Sequence, residues 1–424
     1  MLDDIAQLIR SRRDDIVTVL ESLVRQSRHG HDAVQAHVAR CLASAGAEVE
    51  VVDYAPRAVS VGYEVGAPST IEGTARYVVG RFGRGDADVL FWAHSDSEPV
   101  DDEGWTRPLF DAVIDEGRMY GWGIGDDLVG VATMLAVADL QRDTDVLRGR
   151  TVTFASVPSK QRAQAIIHAL DQGVGRAGTV YLHPAESGSG LTEIKAIASG
   201  LLRFRVRVHG RKPDTSEPGH TVFLHKGVDP MPKAGKVIEA IRALCDERAR
   251  DVYYAPVHDA IGRSTNVHIS HVQAGSAQRL STVPEVVDLY GSMTFPPTEL
   301  VADAQAALLG ALMQVEEGDP WLRDHPIECT WLVGIQGAET SPDSAVFRAT
   351  YDAIVATTSR EPHINTLHAA SDIRNPVLHK GIPTVGIGPL VGDLTVSGGV
   401  DEWADVEDYV RGVEVVTRIA RSLG

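Results

Sequence analysis

The chain has 424 residues, 43% of them hydrophobic and 23% charged, and carries a formal net charge of -18 at pH 7. This composition is typical of a globular protein, and the length favours two domains because one core rarely extends over so many residues. The negative charge argues against nucleic acids and anionic membranes as partners, since both bind to basic surfaces.

The cysteine content and the N-terminal sequence both indicate the cellular compartment. The three cysteines, Cys41, Cys245 and Cys329, are far apart and form no CxxC motif, which indicates thiols in a reducing compartment. The first residues, MLDDIAQLIRSRRDDI, contain no apolar signal core, and no run reaches membrane-spanning length. We therefore expect a cytoplasmic protein that binds a small molecule, without nucleic-acid or membrane partners.

The hydrophobic pattern predicts alternating strands and helices up to about residue 199. Helices are predicted over 2–26, 32–45, 129–140 and 162–171, and strands over 48–53, 77–82, 90–93, 151–156 and 179–182. Such alternation is typical of the α/β class, with a mainly parallel sheet covered by helices.

After Gly200 the pattern changes. Strands with one polar face are predicted over 201–210, 266–272 and 285–295, with helices over 231–244 and 299–315. A strand over 327–333, a helix over 341–356, a strand over 383–387 and a helix over 406–423 then follow. We expect a first domain built from residues 1–199 and 324–424, with an α+β domain over 200–323 inserted into it.

Three polar residues flank the predicted strand 90–93 and the helix that begins near residue 129. His94 and Asp96 follow the strand, at the edge where α/β sheets bind ligands, and Asp126 precedes the helix. An imidazole and a carboxylate are ligands for a borderline transition metal, and Asp96 is spaced to hold the other ring nitrogen of His94. The alternative for Asp126 is a helix N-cap.

The surrounding residues carry a recognisable signature. They are HSDSEPV from residue 94, then Trp105, PLF from residue 108 and GRMYGWGIGDD from residue 117. This series resembles the pattern of the M20 metallopeptidases (HxDxVP, then W, PF and YGRGxxD), a group that includes carboxypeptidase G, aminoacylases and succinyl-diaminopimelate desuccinylase. The resemblance implies a two-metal site with His94 as a terminal ligand and Asp126 as the bridging one. It also implies that the inserted domain is a lid or dimerisation domain, and hence a homo-oligomer.

Two departures from this pattern concern the second metal. The family has a Glu-Glu pair just after the strand that aligns with 152–155, but this chain reads FASVPSK there, without an acid. The family's C-terminal histidine, in an HxxNE-like motif, aligns with Gly398. Because both ligands private to the second metal are missing together, we expect one divalent transition metal per subunit, with Mn, Zn, Co and Fe all suitable.

The third ligand of that metal has two candidates. In the family it is an acid in a turn before the lid, and the matching stretch is LHPAESG from residue 182. Alignment on the His-Pro dipeptide favours His183, and residue type favours Glu186. We retain both, one as ligand and the other as a neighbouring base.

The expected reaction is hydrolysis of a C–N bond by metal-activated water. Without the glutamate base and the second metal, a substrate with its own electron sink needs less assistance. We therefore expect hydrolytic deamination of an electron-poor aromatic amine, with 5-nitroanthranilate as the best candidate. The alternatives are an M20 amidase or peptidase acting on a small carboxylate-bearing substrate, a dinuclear peptidase that recruits Glu193 or His368, and a non-catalytic M20-like binding protein.

Substrate-binding residues are suggested by the same resemblance. His368, in a loop that the family places beside the site, is a candidate catalytic group, and Arg374 a candidate clamp for a carboxylate. The structural alternative for Arg374 is a pairing with Asp372. In the inserted domain, His220 or His225 would replace the family's lid histidine, and Arg279 would bind substrate or be a surface cation.

Overall fold

The computed structural model describes residues 2–66, 72–85, 88–97, 99–158, 164–185, 187–217, 219–392 and 399–423. The α-helices are α1 Leu2–Ser11, α2 Arg13–Ser27, α3 His31–Ser44, α4 Val129–Thr144, α5 Gln164–Asp171, α6 Met231–Asp251, α7 Ala255–Ile261, α8 Val301–Glu317, α9 Pro320–Asp324, α10 Ala345–Thr358, α11 Arg374–Lys380 and α12 Val406–Leu423. The strands are β1 Glu48–Tyr54, β2 Glu64–Gly66, β3 Ala75–Phe82, β4 Val89–His94, β5 Val113–Asp115, β6 Arg118–Tyr120, β7 Val152–Val157, β8 Gly178–Leu182, β9 Glu193–Lys195, β10 Ile197–Ala198, β11 Gly200–His209, β12 Asn266–Ala274, β13 Val286–Phe295, β14 Glu328–Ile335, β15 Ala338–Glu339, β16 His363–Asn365, β17 Thr384–Ile387, β18 Val391–Gly392 and β19 Trp403–Asp405.

An eight-stranded sheet forms the centre of the first structural unit, in the order β1-β3-β7-β4-β8-β17-β9-β16. The four adjacent strands β7, β4, β8 and β17 run parallel, whereas β1 and β3 add antiparallel pairings at one side. Every residue of β4, β7 and β8 is buried, as expected for strands covered on both faces. The predicted α/β class with a helix-covered sheet is confirmed, although the sheet is mixed.

Helix α4, which follows the segment that contains Asp126, lies at the centre of this core. Every residue of α4 from Val129 to Leu140 except Asp139 is buried, and α4 packs against α2, α3 and α12 as well as against β4. Burial on all sides explains why its sequence, VGVATMLAVADL, is apolar without a polar face. A helix held this firmly gives the residues just before it a fixed position.

A second sheet of five strands carries the inserted unit, in the order β12-β13-β11-β14-β2. Alternate residues of β11 (Leu202, Phe204, Val206 and Val208) are buried in a core shared with α6 and α8. The predicted antiparallel α+β lid is therefore present. Its sheet carries the remaining residues of β11, three of them arginines, on the other face.

Strand β14 joins the second sheet rather than the first. The strand expected over 327–333 does not return to the first sheet, because β14 pairs with β11 in the second sheet as far as Ile335. Strand β2, from the N-terminal part of the chain, adds to the outer edge of β14. The partner of a strand depends on non-local contacts, which the local hydrophobic pattern does not encode.

Smaller differences occur at two other places. The helix predicted over 2–26 is divided at Arg12 into α1 and α2. A small sheet in the order β18-β19-β6-β5 lies next to the segment that contains Asp126. No helix within the described ranges is long and apolar enough to cross a membrane.

Candidate metal centre

Three predicted site residues meet at the carboxyl edge of the main sheet. His94 is the last residue of β4, and His183 follows directly after the last residue of β8. Because β4 and β8 are parallel neighbours, their carboxyl ends lie side by side. Asp126 approaches the two imidazoles from the turn that leads into α4.

That turn has an unusual backbone. Gly123 adopts a φ of 70°, which favours glycine, and Asp126 and Asp127 have non-helical torsion angles. The peptide bond between Asp126 and Asp127 is cis. The N-cap of α4 is Leu128, without a side-chain cap, so the interpretation of Asp126 as a capping residue is wrong.

The three side chains converge on one point. Asp126 Oδ1 lies 2.6 Å from His94 Nε2 and 3.3 Å from His183 Nε2. One ligand atom from each residue lies within 4.8 Å of the others, and all three residues are buried, at 3%, 8% and 7% exposure for His94, Asp126 and His183. Two imidazoles and a carboxylate form a donor set that suits a divalent transition ion, so the residues fit the metal that the sequence predicts.

Electrostatic interactions within this cluster favour the charged forms of His94 and Asp126. Burial lowers the pKa of His94, but the nearby Asp126 carboxylate outweighs burial, and the His94 pKa is raised well above its usual value. Burial raises the pKa of Asp126, but His94 and His183 hold it well below the usual range. Asp126 is therefore an ionised carboxylate, which is the form that binds a cation.

The outer ring nitrogen of His94 is held by the next loop. His94 Nδ1 lies 2.9 Å from the backbone carbonyl of Asp96 and 3.6 Å from its carboxylate. Asp96 therefore contacts the ring of His94, as predicted, and its backbone carbonyl lies closer to the ring than its carboxylate does. A bond of this kind fixes which nitrogen of the ring faces the site.

Glu402 supports the Asp126 turn and was missed among the predicted site residues. Its carboxylate is 2% exposed and accepts hydrogen bonds from the backbone N–H groups of Gly123, Gly125 and Asp126, at 3.1, 2.6 and 3.1 Å. Burial raises the pKa of Glu402 to about 7, against the opposing effect of these donors. The signal in the sequence was its place at the end of the HxxNE-like motif, after Asp401.

Lys195, at the end of β9, is a second residue that sequence analysis missed. The side chain is fully buried, and its Nζ lies 2.7 Å from His183 Nδ1 and hydrogen-bonds the Pro184 carbonyl. Its sequence context, an apolar run from Ile194 to Ala198 interrupted by one lysine, was the available signal.

Three other residues were predicted near the metal centre: Glu186, His368 and Glu193. Glu186, like Gly398, lies outside the described residues. The ring of His368 lies beside that of His183, with 6.4 Å between the ring centroids. Glu193 is fully buried and accepts hydrogen bonds from the Ser187 N–H and the Asn365 amide.

Arg374 has the structural pairing that was the alternative to a substrate clamp. Its guanidinium, on a residue 4% exposed, donates to Glu64 at 2.5 Å, to Asp372 at 2.6 Å and to the Ala370 carbonyl at 2.9 Å. Burial lowers the Arg374 pKa, but the two carboxylates outweigh burial and raise it. With both terminal nitrogens engaged by the protein, a role as carboxylate clamp is not supported.

The candidate substrate residues of the lid lie on two neighbouring loops. The His220 N–H donates to the Ser281 carbonyl at 2.8 Å, and His220 lines an open cleft together with Arg279. His225 is exposed at the end of the short turn Thr221–Lys226, and Arg279 is exposed as well. The structure thus brings His220 and Arg279 together within the lid.

Comparison with known proteins agrees with the fold. The sequence profile described as Peptidase family M20/M25/M40 matches residues 90–422. The succinyl-diaminopimelate desuccinylase of Caulobacter vibrioides (strain NA1000 / CB15N) is 25% identical over 346 residues, covering 77% of this chain and 79% of that enzyme.

Solved structures show the same fold at lower sequence identity. Human carnosine dipeptidase 1 superposes with a TM-score of 0.71 at 15% identity, covering all of this chain and 98% of that one. The M20 family metallo-carboxypeptidase Sso-CP2 from Sulfolobus solfataricus gives a TM-score of 0.70 at 14% identity, covering 96% and 99% of the two chains. The profile match extends over most of the sequence and includes all three residues of the cluster, so the chain belongs to peptidase family M20/M25/M40 and is a metal-dependent hydrolase of C–N bonds.

Proposed function

We propose that the protein hydrolyses an amide bond in a small carboxylate-bearing substrate, using one divalent transition metal held by His94, Asp126 and His183. The observation that carries the proposal is the convergence of these three side chains at the carboxyl edge of the sheet. When bound there, such an ion supplies a Lewis acid that polarises a carbonyl oxygen and acidifies water.

Each ligand is fixed by groups of the protein itself. The Asp96 carbonyl orients His94, Lys195 contacts His183, and Glu402 holds the turn that carries Asp126. Preorganised ligands lose little freedom on binding an ion, and this arrangement supports a site built for a metal rather than a chance meeting of buried polar groups.

The count of one metal rests on the residues that are absent from the sequence. From Val152 to Ala163 the chain contains no aspartate or glutamate, so neither member of the family's Glu-Glu pair is present, and glycine stands at position 398. The general base must therefore come from elsewhere. Glu186, Asp96 and His368 remain our candidates for it.

We rank amide hydrolysis above the predicted deamination because of the activities for which the relatives are named. The matched enzymes are named as desuccinylases, and solved structures with the same fold are named as a dipeptidase and a carboxypeptidase. Conversion of 5-nitroanthranilate to 5-nitrosalicylate and ammonia remains the second candidate. It is favoured by the missing Glu-Glu pair and the missing histidine at position 398, because a nitro group withdraws electrons from the ring carbon that water attacks and so replaces part of their assistance.

The test compares both reactions on one preparation. The protein is stripped with a chelator, reloaded separately with Mn, Zn, Co or Fe, and incubated with N-succinyl and N-acetyl amino acids, with dipeptides and with 5-nitroanthranilate. We expect release of free amine from at least one amide and its loss in His94→Ala. Release of ammonia from 5-nitroanthranilate with all amides intact would select the deaminase instead. Binding without turnover of any compound would favour the non-catalytic alternative.

A further inference from the structure

We infer that Arg203 and Arg205, on strand β11 of the second sheet, form a carboxylate-binding subsite for the end of the substrate that is remote from the metal centre. The inference rests on the proposed function and deepens it, because a carboxylate-bearing substrate needs a cation that recognises it. Arg374 does not serve in this way, since Glu64 and Asp372 already engage its guanidinium. The protein would therefore select substrates with a carboxylate remote from the scissile amide.

Both arginines point away from the helices of the second unit. Phe204, between them on β11, is buried in the core formed with α6 and α8. Because successive side chains of a strand point to opposite faces of its sheet, Arg203 and Arg205 lie on the face opposite those helices, which we call the open face. Directly opposed residues of antiparallel neighbours share a face. On the open face, the neighbours of the two arginines are therefore His268, His271, Tyr290, Ser292, Thr330 and Val333.

One edge of the open face borders the first unit. Glu64 of β2 lies directly opposite Ile335 of β14, which in turn lies opposite Leu201 of β11, so all three share the open face. The Glu64 carboxylate accepts a hydrogen bond from Arg374 at the start of α11, a helix of the first unit. The face that carries the two arginines is therefore the one turned towards the first unit at this edge.

The strand that carries the arginines begins beside the metal centre. The backbone N–H of Ser199, just before β11, donates to the His368 carbonyl at 2.9 Å, and the ring of His368 lies beside that of His183. Arg203 follows Ser199 by four residues in the sequence, which is a distance of about 13 Å at the usual rise of a strand. An extended substrate with its amide at the metal can therefore reach Arg203 with a group at its far end.

Neither Arg203 nor Arg205 has a carboxylate partner. Among the described residues neither forms an ion pair, and none of their six neighbours on the open face is acidic, in a chain with 58 aspartates and glutamates against 40 lysines and arginines. Arg207, further along the same face, is different, because the Asp288 carboxylate accepts two hydrogen bonds of 2.8 Å from it. The sheet thus leaves positive charge unneutralised towards the end of the open face that is nearer the metal centre.

The two guanidinium groups have donors to offer to an anion. Arg203 is exposed, and Arg205 is half-buried and donates from Nη2 to the Thr330 hydroxyl at 3.1 Å. The Nε–H of Arg205 has no acceptor among the described residues. An arginine binds a carboxylate through two parallel N–H donors, and a second cation on the same face increases the attraction. These properties favour a carboxylate over a neutral polar group.

The test measures the binding of carboxylic acids that contain no bond for the protein to hydrolyse. Zn(II)-loaded protein is titrated calorimetrically with straight-chain dicarboxylates from succinate to suberate and with the monocarboxylates of the same lengths, so that each pair differs by one charge. We expect at least one dicarboxylate to bind about 10-fold or more tightly than its monocarboxylate, the size expected for a charge-assisted hydrogen bond. In Arg203→Gln this preference should disappear, while the affinity for monocarboxylates stays unchanged.

Matched variants show whether the charge at this position is responsible. Arg203→Lys keeps a cation and should keep part of the preference, and Arg205→Gln should reduce it. Arg250→Gln removes an exposed arginine from α6, on the opposite side of the sheet, and should leave every affinity unchanged. The inference would be overturned by any of three results: no preference for dicarboxylates in the wild type, a preference that survives in Arg203→Gln combined with Arg205→Gln, or an equal loss of affinity for both acids of a pair in Arg203→Gln.

These outcomes are distinct from a failure of the proposed function. If no amide is hydrolysed but the binding of a dicarboxylate depends on Arg203, the subsite exists and the proposed function is wrong. If amides are hydrolysed and dicarboxylates bind no better than monocarboxylates, the proposed function stands and the subsite is rejected.

Discussion

Asp126 is the residue on which the metal centre depends, because one of its oxygens faces both imidazoles. Replacing it by asparagine keeps the shape but removes the negative charge. We expect Asp126→Asn to weaken binding of Zn(II) by more than about 100-fold, beyond the range typical of residues that only support a ligand. Isothermal titration of the stripped protein measures this directly. An unchanged affinity would mean that the ion binds elsewhere.

Glu402 supports the site through the backbone N–H groups that it holds. An amide at this position offers one acceptor oxygen and brings two donors towards three N–H groups, so Glu402→Gln should leave buried donors unpaired. We expect a loss of about 1–3 kcal/mol in the free energy of unfolding and weaker metal binding. Urea denaturation with and without Zn(II) checks both effects. Glu407→Gln, on the exposed start of α12, is the control and should be neutral.

At the scale of single elements, Asp319 links the beginning of α9 to helix α6. Its carboxylate caps α9 at the Trp321 and Leu322 N–H groups and accepts from Lys233 and Lys236. Burial raises its pKa, but the lysine hydrogen bonds dominate, and the pKa is lowered. Stability from a lowered pKa is present above the unfolded value near pH 4 and is lost as the pH falls below it.

Asp319→Asn should therefore destabilise the lid in a pH-dependent way. We expect a loss of about 1.5–3 kcal/mol at pH 7, as for hydrogen bonds to charged groups, and a smaller difference near pH 3. Urea titrations at the two pH values, followed by tryptophan fluorescence, give both numbers. An equal loss at both values would show that charge contributes nothing to this contact.

Arg374 connects a helix to a strand of the second sheet. It begins α11 and pairs with Glu64 of β2, the outermost strand of the second sheet. Arg374→Met would leave the Glu64 and Asp372 carboxylates buried without their cation, and we expect a loss of about 3–5 kcal/mol in the free energy of unfolding. The triple variant with Glu64→Gln and Asp372→Asn should recover part of that stability. A rise in KM without any loss of stability would restore the role of substrate clamp.

The elements that sequence analysis predicted well are those whose pattern is local. The helix over 406–423 matches α12 residue for residue, because its amphipathic period is continuous. Strand β14 was assigned to the wrong sheet, since its alternation fits either sheet and only its pairing with β11 decides between them. Secondary structure therefore followed from the sequence more readily than strand order did.

The same distinction applies to the residues of the site. His94 and Asp126 stand in an ordered motif, and His183 follows a recognisable strand, so sequence analysis identified each as a candidate. Lys195 and Glu402 lie far from that motif, and their burial arises from the packing of β17 against β9 and of residue 402 under the Asp126 turn. Supporting groups of this kind become visible only when distant segments are assembled.

At the scale of the whole molecule, the two units give the protein its organisation. The first presents the metal centre at the edge of a sheet whose strands β4, β7 and β8 are fully buried. The second, with its own core around α6 and α8, carries His220 and Arg279. We continue to expect a homo-oligomer formed through this second unit.

We expect a single ion to serve this chain, and the metal stoichiometry decides whether it does. After loading with excess Zn(II) and exhaustive dialysis, mass spectrometric metal analysis against protein concentration should give one ion per chain for the wild type. His94→Ala and His183→Ala should both give values near zero. Two tightly held ions per chain in the wild type would mean that a second metal site exists. One ion retained in both variants would mean that the metal binds elsewhere.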